Sequence, residues 1–277
     1  NKCSAAEVAR RFAALGQVQT VDVNRTIKRA YTGKATPLTK ERMATINGTR
    51  SAMSDPLLPA QWNLINSGED FIKDGVVKSV KDADVQCVGA WERNTGDNSL
   101  IVAVLDEGIF VDHPDLKDNI WINEGEVWHS HEDNDGNGYT GDIYGYNFVK
   151  NTGVITWNNA FDSGHGSHVA GVISAVNNNG IGISSVAGGD GSRGGVKIMV
   201  CQIFSGNTGS SALAVARAIK YAADNGAVVL QCSWGYVSGA ANVYDWGEQG
   251  FASQEEWETL YPLEKEAIDY FINNAGS

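Results

Sequence analysis

One feature limits the fold more than any other: short apolar runs alternate with helical stretches over most of the chain. Leu100 to Leu105 is uninterrupted apolar sequence, as expected of a strand covered on both faces in a parallel sheet. Gly166 to Val176 follows as a helix lined with small residues, Val196 to Phe204 as a second strand and Ser210 to Ala223 as a second helix. Ala227 to Cys232 is a third strand and Glu255 to Asn273 a third helix. Strands alternating with helices of this length predict an α/β fold, a parallel sheet flanked by helices on both faces.

The 277 residues, 42% of them hydrophobic, suffice for one large core. No apolar run is long enough to span a bilayer. Four cysteines are too few and scattered for a disulfide scaffold, and the apolar runs around Cys201 and Cys232 predict buried free thiols. The net charge of −12 is unevenly spread: residues 1–54 carry +7 and residues 55–277 carry −19. So acidic a body argues against nucleic acid as principal partner. The basic arm is expected to dock on it, the alternatives being a free basic tail or binding to anionic lipid.

Three stretches follow. Residues 1–31 combine a helical pattern (Ala5, Val8, Ala9, Phe12, Ala13) with a β-like run from Val18 to Val23. Residues 32–54 are polar and read as a linker. Residues 55–277 are the α/β body.

Two motifs sit where open α/β sheets place their sites, at carboxyl ends of strands. Val102 to Leu105 leads into Asp106-Glu107-Gly108. Val228 to Cys232 leads into Ser233-Trp234-Gly235, whose backbone edge could align an extended peptide. Between them, Gly164-His165-Gly166-Ser167-His168-Val169-Ala170-Gly171 opens the first helix. Its recurrent small residues let it pack close to the sheet and hold His165 rigidly. His165 and His168 lack the HExxH glutamate of a zinc helix. His168 reads as a hydrogen-bonded structural residue.

A fourth motif runs Asp133-Asn134-Asp135-Gly136-Asn137-Gly138-Tyr139-Thr140-Gly141-Asp142. Oxygen ligands at positions 1, 3 and 5, Gly at 6 and a carbonyl at 7 reproduce half of an EF-hand loop, although position 12 is Tyr144. The pattern predicts calcium held by Asp133, Asp135, Asn137, the Tyr139 carbonyl and Asp142. The alternative is a solvated acidic turn.

Together, the order and spacing of strand–Asp–x–Gly, His-Gly-x-His-Val-Ala-Gly and strand–Ser–x–Gly resemble the subtilisin-like serine proteases, from about Pro56 onward. The run Leu57 to Leu64 is similar to the start of the family's mature domain, and Val21-Asp22-Val23-Asn24-Arg25 to the tail of its inhibitory propeptide. The resemblance implies a secreted or cell-surface endopeptidase acting on polypeptides and restrained by its own prosegment. It implies that Asp106 orients the imidazole, that His165 is general base and then acid, and that Ser233, Trp234 and Gly235 align the substrate. It also implies a second calcium site at Asp115 and the loop from Asn177 to Ile183. Two departures stand out. Glu107 occupies a place where Ser or Thr is common, and is expected to point to solvent. The family's Gly-Thr-Ser-x-Ala-x-Pro motif and oxyanion-hole Asn are not found, so the chain reads as incomplete and inactive alone. Ser210, in Gly209-Ser210-Ser211-Ala212, reads as a helix N-cap rather than a nucleophile. The other readings are a protease-like domain that binds peptides without cleaving them and, from the acidic loop alone, a calcium-dependent surface-binding module.

Overall fold

The computed structural model describes residues 4–22, 24, 26–27, 53–68, 71–72, 77–206, 208–235, 251 and 253–276. All but the last two residues of the expected linker lie outside these, as do Val23 and Arg25. The elements are α1 (Ala5–Ala13), β1 (Thr26–Ile27), β2 (Phe71–Ile72), β3 (Val77–Lys78), α2 (Cys87–Trp91), β4 (Ile101–Glu107) and β5 (Gly145–Asn147). There follow α3 (His165–Ser174), β6 (Lys197–Phe204), β7 (Ser210–Ser211), α4 (Ala212–Asp224), β8 (Ala227–Cys232), α5 (Gln254–Leu260) and α6 (Pro262–Asn274).

The central sheet is parallel, in the order β5-β6-β4-β8. Side chains alternate along β4, and each set meets a different layer. Ala103 and Leu105 join Met199, Cys201 and the α4 residues Val215, Ile219 and Ala222 in one cluster. Val102 and Val104 join Ile198, Val200 and Ala170 of α3 in another. Helices therefore cover both faces, as the apolar runs predict. On α3 the buried residues are Gly166, Ala170, Gly171 and Ser174, a stripe of small side chains against the sheet.

Three expectations change. The third helix is two, α5 and α6, because Pro262 stands at the first turn of α6 and has no amide hydrogen to continue α5. The N-cap of α4 is Ser211, whose hydroxyl accepts from the Ala214 amide at 3.2 Å. Ser210 is instead a buried β7 residue paired with Ile27. Cys201 and Cys87 are buried free thiols, but Cys232 is exposed, because β8 is an edge strand among the described residues. The strand β5 and the helix α2, both too short for a periodicity to register, had no counterpart in the sequence reading.

The arm docks on the body. Thr26 and Ile27 pair antiparallel with Ser211 and Ser210, and the Asn24 carboxamide accepts from the Leu213 amide at 3.0 Å. Thr20 donates to Glu266 of α6. Ile27 is 1% exposed, inside the cluster against which Trp234 also packs.

Candidate active site

Asp106 is the penultimate residue of β4 and His165 the first residue of α3. The imidazole Nδ1 lies 2.9 Å from both Asp106 carboxylate oxygens. Asp106 is 3% exposed and also accepts from the Glu107 amide at 2.6 Å. Carboxylate and ring are thus fixed to one another at the end of a buried strand, with the ring half-buried and open on one side.

Two glycines make this approach possible. Gly164 has φ +79, a left-handed conformation that suits a residue without Cβ. A Cβ on Gly166 would lie 2.4 Å from the Glu107 carbonyl oxygen. Since that neighbour is backbone, little can give. Gly166→Ala should cost about 1–3 kcal/mol or more in urea unfolding, as overpacked sites do. A change under about 0.5 kcal/mol would show that the α3–β4 contact is looser than this.

Glu107 does not point to solvent. It is 1% exposed. Its carboxylate accepts from the amides of Ser163 (3.0 Å), Gly164 (3.1 Å) and His165 (3.2 Å), and from the Ser163 hydroxyl. Register shifts beside β6 at this point, Asp106 pairing with Gln202 and Glu107 with Phe204. Such irregularities re-aim side chains, which strict alternation cannot anticipate. The amides at the start of α3 replace the water that a buried carboxylate loses.

The neighbouring loops are tied down. The Phe110 amide donates to the Ser167 hydroxyl at 2.9 Å. Buried Gln202 accepts from the Thr156 amide and donates to its hydroxyl, both at 3.0 Å. His168 is exposed and its ring makes no hydrogen bond among the described residues, unlike the structural role expected of it. It stands three residues along α3 from His165, on the solvent side.

Ser233, Trp234 and Gly235 continue from β8 past the Leu105–Cys232 pair, so they leave the sheet beside Asp106. The Ser233 hydroxyl accepts from the Gln231 amide group at 3.1 Å. The Trp234 ring packs into the core cluster and its buried indole N–H has no partner among the described residues. The arm's strand pairs with Ser210–Ser211 rather than with Ser233–Gly235, and meets Trp234 through Ile27.

In the acidic loop, carboxylate oxygens of Glu126, Asp133 and Asp135 lie within 4.8 Å of one another. Glu126 precedes the EF-hand-like frame and so escaped the sequence pattern. Asp133 organises the turn by accepting from the amides of Gly136, Asn137 and Gly138. Asn137 donates to Asp135 and Asp142, both at 3.1 Å, and accepts from the Tyr139 amide at 2.7 Å. Asp142 is fully buried; its Oδ2 accepts from the Tyr221 hydroxyl at 2.6 Å, while its Oδ1 has no partner among the described residues. Burial pushes the Asp142 carboxyl up, against the downward pull of the Tyr221 and Asn137 hydrogen bonds. Three converging carboxylates fit a hard cation with oxygen ligands, and Asp142, outside that group, is linked to Asp135 through Asn123 and Asn137.

The second expected site is arranged differently. Asp115 accepts from Asn179 at 2.7 Å and from the Ile183 amide at 2.9 Å, so both of its oxygens are already engaged by the loop. Burial pushes its carboxyl up.

Residues 97–274 match the sequence model of the subtilase family. Subtilisin-like protease 1 of Plasmodium vivax is 44% identical over 103 residues, which are 36% of this chain and 15% of that protein. The cell wall-associated protease of Bacillus subtilis is 30% identical over 191 residues, 67% of this chain and 17% of that protein. Halolysin of Haloferax mediterranei is 30% identical over 151 residues, 54% of this chain and 24% of that protein. The matched segment therefore spans less than a quarter of each relative.

Proposed function

The chain belongs to the subtilase family, and we propose that it forms the Asp–His part of a serine endopeptidase active site. The observation that carries this reading is the contact of His165 Nδ1 with Asp106 at 2.9 Å, with the ring at the first turn of a helix packed on the sheet. In this arrangement Nδ1–H donates to Asp106, leaving Nε2 to take the proton of an attacking hydroxyl and return it to the leaving amine. The nucleophile is not assigned to any residue here. Ser233 to Gly235, beside Asp106, offer main-chain groups to an extended substrate.

The docked arm fits a prosegment. Ile27 fills the cluster next to Trp234 while β1 occupies the β7 edge. Its basic charge complements the acidic body, which speeds encounter, and the buried Ile27 anchors it. Calcium would be held by Glu126, Asp133 and Asp135, with Asn137, Tyr139 and Asp142 beside them, and would stiffen the turn. An extracytoplasmic location is supported by the name of the cell wall-associated protease among the relatives. No described helix is long and apolar enough to cross a membrane.

The test uses the whole protein, a fluorogenic peptide library and a serine-directed fluorophosphonate. Cleavage and labelling are expected, both abolished by His165→Ala. Peptide binding with neither cleavage nor labelling would favour the non-catalytic reading instead.

A further inference from the structure

Glu107 is a buried carboxylate adjacent in sequence to Asp106, yet it faces away from the imidazole–Asp106 contact and into the start of α3. We propose that Glu107 is a positioning residue for His165: it caps the helix that bears the imidazole and supplies a fixed negative charge that favours the imidazolium. The proposal rests on the reading of His165 as the base.

The geometry has two consequences. First, one carboxylate gathers three consecutive amides and the Ser163 hydroxyl. Charge-assisted hydrogen bonds of this kind are stronger than neutral ones and fix the turn Ser163–His165 relative to β4. Since Asp106 and Glu107 are consecutive on one strand, the same backbone sets both the imidazole's partner and the imidazole's support. Second, His165 is the first residue of α3. A helix N-terminus carries partial positive charge and opposes a second positive charge there. A carboxylate on those amides cancels that field, so the ring can take a proton without working against its own helix.

Titratable groups stand near the ring on several elements. Asp106 touches it from β4 and His168 stands on its own helix. Asp162, in the preceding turn, is engaged by the Gly206 and Asn159 amides. Cys232 of β8 is exposed as a residue, but its thiol is desolvated and near Glu264 and Asp106, which together push it up to about 12, so it stays neutral. Asp106 and Glu107 are thus anionic groups that hydrogen bonds fix against the His165 ring and its backbone.

The experiment follows the His165 ring by NMR against pH in the wild-type protein and in Glu107→Gln, Glu107→Asp and Asp106→Asn, without needing activity. In Glu107→Gln the midpoint of His165 protonation should move acidwards by about one pH unit, as expected for losing one nearby charge at a partly solvated ring. The low-field Nδ1–H signal should broaden as well. Glu107→Asp, which keeps the charge, should restore more than half of the shift. An unchanged titration in Glu107→Gln would overturn the proposal even where Asp106→Asn still shifts the ring. No response to Asp106→Asn would instead overturn the active-site reading on which it rests. Should Glu107→Gln not fold, the side-chain carboxyl carbon of Glu107 in the wild-type protein decides. It must read as ionised throughout the range in which His165 titrates, and a protonated Glu107 there overturns the proposal.

Discussion

Asp106→Asn in the whole protein should lower kcat about 10⁴-fold with little change in KM, the scale known for disarming the orienting carboxylate in proteases of this chemistry. The substitution keeps volume and burial, so packing around β4 is preserved. What changes is the proton inventory. Asp106 offers only acceptors to Nδ1, at 2.9 Å from either oxygen, which holds the ring proton on Nδ1 and leaves Nε2 basic. An Asn can present its NH₂ group to the ring. Nδ1 then becomes the acceptor, the proton moves to Nε2, and the base is blocked. The charge that stabilises the imidazolium in the transition state is lost too. Substrate alignment along Ser233–Gly235 does not depend on this pair, hence the unchanged KM. A steady-state assay on a fluorogenic peptide, with melting temperature as a folding control, reads the outcome. A loss below about 10-fold in a folded variant would remove Asp106 from the catalytic role.

Asp106 and His165 were legible because their signals are local and chemical. A buried apolar strand that ends in a carboxylate is conspicuous, and so is a histidine opening a helix of small residues. Glu107 was not legible, because its orientation depends on the register change opposite Phe204 and on three amides 56 to 58 residues away. Neither leaves a pattern in the strand itself. Glu126 escaped for a related reason. A spacing template sees only its own frame, whereas the fold returns Glu126 to the Asp133 turn, where it accepts from the Asn134 and Gly141 amides. The one-residue error at the N-cap of α4 has a similar origin. Ser210 and Ser211 are equally good caps in isolation, and the pairing of Ser210 with Ile27, far away in sequence, decides between them.

Calcium should raise the melting temperature of the protein by roughly 5–10 °C at saturating concentration, and Asp133→Ala or Glu126→Ala should abolish the response. A ligand present at 100 times its Kd stabilises the folded state by about 2.7 kcal/mol, and each kcal/mol moves a domain of this size by about 2–4 °C. The physical basis is the convergence of Glu126, Asp133 and Asp135 oxygens within 4.8 Å. Without a cation their mutual repulsion is offset by loop amides and by Asn123 and Asn137, which donate to Asp135 at 2.9 and 3.1 Å. With a cation the repulsion becomes coordination, and the gain passes into the core. Asp142 connects the loop to α4 through Tyr221, and Tyr139 stacks edge-on against both Tyr146 and Tyr221. Asp133 also holds three loop amides, so its removal costs stability with or without metal. The informative quantity is therefore the difference between calcium and chelator within each variant, not the melting temperature itself. Magnesium, which keeps its water and demands a tighter octahedron, should give much less. Equal melting temperatures in calcium and chelator for the wild type would leave the loop as a hydrogen-bonded acidic turn. Loss of the response in Asp133→Ala but not in Glu126→Ala would return the ligand set to the residues of the EF-hand-like frame.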